Sequence, residues 1–363
     1  MSTADALSPA AQPAAAEAAS APGTAGQGTA GQGAAGQGAG RLVAVVVTHN
    51  RLDKLKVTLA RLLESPEREL AAVVVADNAS TDGTAAWLAA QGDPRLDICT
   101  SGENRGGAGG FEMGMRRAME RHAPDWLVVM DDDGRPAPGA LAAFHDLPAG
   151  KWDAVAAAVY FPDGRICEMN RPSRNPFWHA REFLRTLFGG GRAGFHVRPA
   201  DYEGAGMQID VTSFVGFFIS AAAVRRIGYP DPELFLYGDD GIYTLGLTAA
   251  GGRIGFEPGV RFEHDLSTFQ AKGGGTEAQR GRFVPLWKAY YYHRNLLLLY
   301  RMAAGWLFWP ALCVVLPKWL MKARQHGGDR RAFLRLMAQA VRDGLLRRTA
   351  VPHARVLELA GRD

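Results

Sequence analysis

The stretch "WLVVMDDDGRP" (residues 126–136) runs five apolar or aromatic residues straight into three aspartates, with Gly134 and Pro136 close behind. An apolar run of this length bounded by turn residues predicts a buried strand, so the three charges fall at its carboxyl end. Unit charges about 4 Å apart repel by about 1 kcal/mol in water and about 4 kcal/mol at an effective dielectric near 20. Something positive must offset them. Upstream, "LVAVVVT" (42–48), "AAVVVA" (71–76) and "RLDICT" (95–100) are further strands. Between them, residues 52–64 place Leu52, Leu55, Leu59, Leu62 and Leu63 on one helical face, a short helix surrounds Trp87, and "GGFEMGMRRAMERH" (109–122) is helical. Strands that are apolar on both faces and alternate with helices predict an α/β fold with a parallel sheet, wound by right-handed crossovers. In such sheets ligands sit outside the carboxyl ends of the strands. Thr48, Asp77 and Asp131 to Asp133 therefore gather on one rim.

The 363 residues, 47% of them hydrophobic, suffice for one large or two ordinary domains. A formal charge of +4 from 41 basic and 37 acidic residues is too even to indicate nucleic acid, and no nucleic-acid partner is expected. Residues 318–348 form a basic end. The cysteines, Cys99, Cys167 and Cys313, lack C-x-x-C spacing, which argues against a disulfide framework or structural zinc. A reducing compartment and a cytosolic default fit, since no basic segment followed by an apolar one marks a secretory signal. Residues 1–40 are rich in Ala, Gly and Gln and are expected to be a disordered tail. Within it Gly26, Gly28 and Gly31 match G-x-G-x-x-G. They precede the first strand, so they lack the strand-to-helix setting of a dinucleotide site.

After "AVAAAVYF" (154–161), another strand, residues 162–206 show no clear period and read as a functional loop or lid. Order resumes with "FVGFFISAAAVRRIG" (214–228), "FLYGDDGIYTLGLTAAGGRIGFEP" (235–258) and "VRFEHD" (260–265). A Gly-rich, mobile connection is expected near Lys272, before "YYYHRNLLLLYR" (290–301). Residues 296–320 approach the length of a membrane span but are broken by Arg301, Pro310, Pro317 and Lys318. Two readings stay open there: a buried C-terminal helix pair, or a helix lying in the membrane interface.

The chemistry centres on the aspartates. In an extended segment Asp131 and Asp133 project the same way, and Asp-x-Asp at a strand end can hold Mg2+ or Mn2+ against a diphosphate, because these hard cations take oxygen ligands. An acidic turn or helix cap is the plainer alternative. "DNASTDGT" (77–84) adds Asp77 and Asp82. "GENRGGAGGF" (102–111) offers a backbone-rich approach to a ligand at Asn104 and Gly107. It is not a P-loop, because G-x-x-x-x-G-K-[ST] is absent.

"VVVTHNR", "DNASTDGT", "NRGGAGGF", "MDDDGRP", "YGDD" and "YYYHRN", in this order over residues 42–301, resemble family 2 glycosyltransferases of the GT-A fold, particularly the galactofuranosyl and rhamnosyl transferase branch. The resemblance implies a Rossmann-like, mostly parallel sheet flanked by helices, with a helical C-terminal region. It also implies a catalytic domain at 41–270, its nucleotide-sugar half at 41–137 and its acceptor half at 138–270, followed by 271–363. By the same resemblance Thr48 and Arg51 meet the nucleotide's base and phosphates, and Asp77 accepts from a uracil or thymine ring. Asn104 and Gly107 line the donor, and Asp132 lies near its ribose or sugar. Asp131, Asp133 and the late His264 hold Mn2+ or Mg2+. Asp240 is the implied base that removes the acceptor's proton, with Asp239 orienting it; a capped helix start is the alternative for this pair. His293 and Arg294 meet the diphosphate, unless the Tyr-rich helix simply packs on the sheet. The chain departs from the branch at Ile242 and Gly246, where relatives commonly carry an acidic residue and an arginine, which bears on acceptor contacts. The implied activity is inverting, metal-dependent transfer of galactofuranose or rhamnose from a UDP or dTDP donor to a lipid-linked or cell-wall glycan, at the inner face of the plasma membrane. A nucleotidyltransferase is the alternative enzyme, although "THNRLDKLK" lacks its Gly-rich basic loop; a non-catalytic sugar-nucleotide scaffold is the other alternative.

Overall fold

The computed structural model describes residues 40–266 and 282–361. Nearly all of the expected tail (residues 1–39) and the expected connection near Lys272 lie outside the described residues. The first half is an alternation: β1 (Leu42–Thr48), α1 (Leu52–Leu63), β2 (Ala72–Asp77), α2 (Thr84–Ala89), β3 (Leu96–Thr100), α3 (Gly106–His122) and β4 (Trp126–Asp131). Then come β5 (Gly134–Pro136), α4 (Ala140–His145), β6 (Ala154–Tyr160), α5 (Ala180–Arg185), β7 (Met207–Ile209), β8 (Phe217–Ser220), α6 (Ala221–Ile227), α7 (Asp239–Ala249) and β9 (Ile254–His264). Four longer helices close the described chain: α8 (Lys288–Ala304), α9 (Phe308–Lys322), α10 (Arg330–Leu345) and α11 (His353–Ala360).

One sheet runs in the order β3-β2-β1-β4-β8-β6-β9-β5, with β7 also on β9. The β3-β2-β1-β4 half is wholly parallel, as expected. Beyond β4 the sheet is mixed: β8 runs antiparallel to β4 and β6, β5 and β7 run antiparallel to β9, and β6 and β9 pair parallel. The antiparallel partners β5, β7 and β8 are three or four residues long, and antiparallel pairing needs no crossover helix between neighbours.

Alternate residues of β1 feed two cores. Val43, Val45 and Val47 face α3, whereas Leu42, Ala44 and Val46 face α1 and its Leu55, Leu59 and Leu62. Both faces are covered, and the strand therefore reads as an unbroken apolar run. Helix α3 comes unusually close to β1 because Gly110 and Gly114 stand one turn apart on its inner side. A Cβ at these positions would lie 2.4 Å from Val47 Cγ1 and 2.5 Å from Val45 Cγ1.

The C-terminal run divides between the two readings left open. Helix α8 buries Ala289, Tyr290, Tyr291, Arg294 and Leu297 against its neighbours, so this part is a packed helix. The helix breaks at Gly305, where φ is 55°. Helix α9 then buries only Phe308, Leu312 and Trp319.

The close approach of α3 to β1 makes a direct prediction. Gly114→Leu should lower unfolding free energy by about 1–3 kcal/mol through overpacking, measured by urea denaturation. An unchanged midpoint would show that the helix has room to spare.

Candidate active site

The carboxyl ends of β1, β2 and β4 meet as the parallel half requires. Arg51 directly follows β1 and supplies the positive partner that the aspartates demand. Its Nη1 donates to Asp132 Oδ1 at 2.9 Å and its Nη2 to Asp133 Oδ2 at 2.5 Å. Thr48 Oγ1 donates to Asp132 Oδ2 at 2.8 Å, Thr58 Oγ1 donates to the Asp132 carbonyl at 2.7 Å, and the Asp132 N–H donates to the Val47 carbonyl at 3.0 Å. Thr48 and Asp132 are each 1% exposed. In this arrangement the two side chains pair with each other and, through Asp132, with Arg51, which ties the ends of β1 and β4 together.

Asp133 has a second partner. Because β5 pairs with β9 with Gly134 opposite His264, the end of "FEHD" is delivered to the aspartates, and His264 Nε2 lies 3.2 Å from Asp133 Oδ1. The other ring nitrogen, Nδ1, lies 2.7 Å from Asn170 Oδ1, and Asn170 Nδ2 donates to Ser213 Oγ at 2.8 Å. Nδ1–H donation to Asn170 fixes the ring so that Nε2 faces the acidic rim. Asp131 is half-buried and within electrostatic range of Asp133, His264, Arg51 and Asp240. Among the described residues, however, no three His, Cys, Asp or Glu side chains close around a single point. The expected set Asp131, Asp133 and His264 is assembled only as the Asp133–His264 pair with Asp131 nearby, because Arg51 occupies the other face of Asp133.

Asp77 ends β2 and is fully buried; its Oδ1 accepts from the Ser80 N–H at 3.0 Å, while its Oδ2 has no hydrogen-bond partner. A buried carboxylate oxygen without a donor is costly. Asn104 Oδ1 accepts from the Gly106 N–H at 2.9 Å and from Asn78 Nδ2 at 3.1 Å, which ties the start of α3 to the loop after β2. Gly107 has open space where a Cβ would stand, whereas a Cβ on Gly106, at φ 70°, would lie 2.0 Å from the Phe235 carbonyl oxygen. Gly106 thus lets α3 abut the "FLYGDD" loop.

That loop carries the other two acids. Phe235, Tyr237 and Gly238 all have left-handed φ, at 63°, 68° and 76°, a strained path for the first two. It is held from α8. Asn295 Nδ2 donates to the carbonyls of Leu234, Leu236 and Tyr237. Arg294 donates to the carbonyls of Glu233, Leu234 and Thr349 and to Asn295 Oδ1. Arg294 is fully buried. Its donors go to three backbone carbonyls and to Asn295, and it positions the acidic loop. His293 is buried as well and donates to the Ala289 carbonyl.

Crowding shifts the titrations apart. Burial, reinforced by Asp133, pushes Asp131 up to about 6. Burial pushes Asp132 up to about 7 despite Arg51. It raises Asp240 to about 6, and raises Asp239 well above the carboxylate range, with the Asp240 charge adding to the effect. Burial disfavours the His264 imidazolium, but the hydrogen bonds to Asp133 and Cys167 and the charges of Asp133 and Asp131 outweigh it, lifting His264 to about 9. Asp133 is held low: burial opposes, but His264 and Arg51 prevail.

Sequence reasoning missed Asn170, Asn295 and Asn78. Asn295 adjoins a residue already singled out, so its motif was a signal; Asn170 sits in the segment read as a lid, and nothing in its local sequence marks it.

In an open α/β sheet ligands bind outside the carboxyl ends of the strands, where these acids lie. Residues 43–208 match the family model of glycosyl transferase family 2, and this part of the chain is a family 2 glycosyltransferase domain. The galactofuranosyltransferase GlfT1 of Mycobacterium tuberculosis is 29% identical over 205 residues, 54% of this chain and 61% of its own length. An N-acetylglucosaminyl-diphospho-decaprenol L-rhamnosyltransferase of the same species is 26% identical over 220 residues, 55% of this chain and 67% of its own. A mannosyltransferase from Pyrobaculum calidifontis, solved with GDP-mannose and Mn2+, is 20% identical with a TM-score of 0.47, covering 89% of this chain and 79% of that one. The chain spans about three fifths of the length of the galactofuranosyltransferase it matches.

The titrations predict a pH dependence. Carboxyls with raised pKa stabilise the fold while protonated and lose that contribution as pH rises through the folded value; His264, raised to about 9, contributes fully below its unfolded pKa of 6.5 and loses the contribution on approach to pH 9. Buried His293, depressed to about 4, is neutral in both states above pH 7. Metal-free protein should therefore lose melting temperature steadily from pH 7 to pH 9, and His264→Gln should flatten the upper part of that fall. A rising calorimetric profile over this window would contradict these assignments.

Proposed function

We propose that the chain is an inverting glycosyltransferase that moves a sugar from a nucleoside diphosphate to an acceptor hydroxyl. One observation carries this reading: the unpartnered Asp77 Oδ2 and the acids Asp131, Asp133, Asp239 and Asp240 share one rim, where Arg51 and His264 offset Asp131 and Asp133. Asp77 Oδ2 is suited to accept the ring N–H of a uracil or thymine, and Gly107 beside the Asn104 turn leaves space for a donor to approach the backbone.

The donor set suits Mn2+ or Mg2+. Asp133 and Asp131 are hard oxygen ligands, and His264 is oriented through Asn170 as a metal-binding imidazole would be. Such an ion supplies positive charge to a leaving diphosphate. For its part, the chain binds the base through Asp77, offsets the acids with Arg51, and accepts a proton at Asp240. As the acceptor oxygen bonds to the anomeric carbon, its proton passes to the Asp240 carboxylate. The bond from that carbon to the diphosphate oxygen breaks, and the nucleoside diphosphate departs. A base with a pKa of about 6 is suited to the task near neutrality. Asp239, whose carboxyl is pushed well above the usual range by burial and by Asp240, is left to orient Asp240 or the acceptor.

The relatives guide the finer choice. Galactofuranose or rhamnose is the donor sugar, UDP or dTDP its carrier, and a lipid-linked or cell-wall glycan the acceptor, met at the cytoplasmic face of a membrane. Residues 41–270 form the catalytic domain, 41–137 serving the donor and 138–270 the acceptor, with 271–363 as the helical C-terminal region.

Transfer from UDP-galactofuranose or dTDP-rhamnose with Mn2+ and a lipid-linked acceptor tests this reading. Asp240→Asn should cut kcat by about 10²–10⁴-fold while donor affinity, followed by calorimetry, stays within about threefold, since each tenfold is 1.4 kcal/mol. Turnover retained in that variant would remove Asp240 as the base, and failure of every nucleotide to bind would remove the transferase reading.

A further inference from the structure

Exposed large apolar side chains fall mainly in two separate stretches. Around α5, Leu184, Leu187 and Phe188 are exposed, Phe188 at 80%; around α9, Trp306, Trp309 and Val314 are exposed, Trp306 at 77%. The stretches meet at the carboxyl end of α8. Asn175 Nδ2, just before α5, donates to the Ala303 carbonyl at 3.0 Å, and Arg192 lies within electrostatic range of Tyr300. Their charge is one-sided. Residues 302–328 hold Lys318, Lys322 and Arg324 without a single Asp or Glu, and residues 183–200 hold Arg185, Arg192 and Arg198, again with no acid. Arg198 is paired with Asp201 just beyond its stretch, but the aromatic side chains still stand among an excess of cations, a composition that matches a surface of anionic headgroups over acyl chains.

We propose that these two stretches together form one face that lies in the plane of an anionic lipid bilayer. Trp306, Trp309 and Phe188 sit at the boundary of headgroups and acyl chains, while Lys318, Arg324 and Arg192 meet the headgroups. By composition, the helical run 288–345 is long and apolar enough to cross a membrane. Gly305 and Gly327, at φ 55° and 50°, interrupt it. Helix α9 alone, at 15 residues, is about 22 Å long, short of the ~30 Å hydrocarbon core. Its inner side, Phe308, Leu312 and Trp319, is also packed against the protein. The face therefore lies on the membrane and does not span it.

The placement serves the acidic loop. Tyr237, two residues before Asp239, has its ring 6.0 Å from that of Tyr292, and Lys322 at the end of α9 has its Nζ 5.3 Å from the Tyr292 ring centre. The edge of the face thus adjoins the loop that carries Asp239 and Asp240, where an acceptor anchored in the bilayer would arrive. This last step rests on the proposed transfer reaction; the membrane contact does not.

Flotation of the full chain with vesicles of phosphatidylcholine, with and without phosphatidylglycerol, is the test. The protein should bind the anionic vesicles and release them at high salt, where surface charges are screened. Combining Phe188→Ser, Trp306→Ser and Trp309→Ser should weaken binding by about tenfold or more, the loss expected from withdrawing a few large apolar side chains. Lys318→Gln with Arg324→Gln should weaken binding to anionic vesicles and leave the weak binding to neutral ones unchanged. Unaltered UDP binding in each variant would confirm an intact fold. Equal vesicle binding by wild type and variants, or no binding by the wild type, overturns the proposal. So does a wild-type dimer that the serine variant turns into a monomer without any vesicle binding, since a second copy would then be the occupant. Vesicle binding by a protein that binds no nucleotide would sink the transferase reading alone.

Discussion

The site is governed by like-charge repulsion under burial. Asp131, Asp132 and Asp133 follow one another at the end of β4, and Asp239 and Asp240 come within electrostatic range from the start of α7. Two cations, Arg51 and His264, lie among them, and their placement sorts the acids into roles. Asp132 is enclosed by Arg51 and Thr48 and holds the strand ends together. Asp133 stays ionised between Arg51 and His264. Asp131, Asp239 and Asp240 have no comparable partner in the hydrogen-bond network, and all three carry raised pKa values. Carboxylates whose pKa is raised toward neutrality are groups whose charge a divalent cation can offset, and one of them can serve as a base.

A second constraint makes the crowding possible. Bringing a charged loop against a charged strand end requires the loop to be fixed independently, because it will not settle there by attraction. Asn295 and Arg294 provide this by donating to successive carbonyls of residues 233–237, and Gly106 lets the start of α3 close in from the other side. The backbone of the loop is left-handed at three positions, a path of order 1–3 kcal/mol per strained residue that persists because α8 holds it. The C-terminal region is therefore part of the site's construction as well as a neighbour of it.

The sequence made the parallel half legible because every strand there is apolar on both faces and is followed by a helix with a clear face; the convergence of Thr48, Asp77 and the aspartates on one rim followed from that topology. The antiparallel half was not legible. Strands of three or four residues such as β5, β7 and β8 carry too little pattern to register, yet the β5–β9 pairing is what delivers His264 to Asp133. That Thr48 donates to Asp132 and Arg294 to backbone carbonyls was not legible: a polar residue next to a motif looks the same in sequence whether it faces a ligand or another part of the chain. Asn170 was invisible because its partner His264 is 94 residues away, and no local spacing encodes a contact of that separation.

The proposed transfer requires this acidic rim to take up a divalent cation when a nucleoside diphosphate binds. Paramagnetic resonance of Mn2+ titrated into the protein with and without UDP, at pH 8, tests it most directly. The account predicts a single class of bound Mn2+ whose affinity rises about tenfold or more when UDP is present, a coupling of about 1.4 kcal/mol, and which disappears in Asp133→Asn. Mn2+ that stays free with UDP present, or that binds equally well to Asp133→Asn, would contradict it.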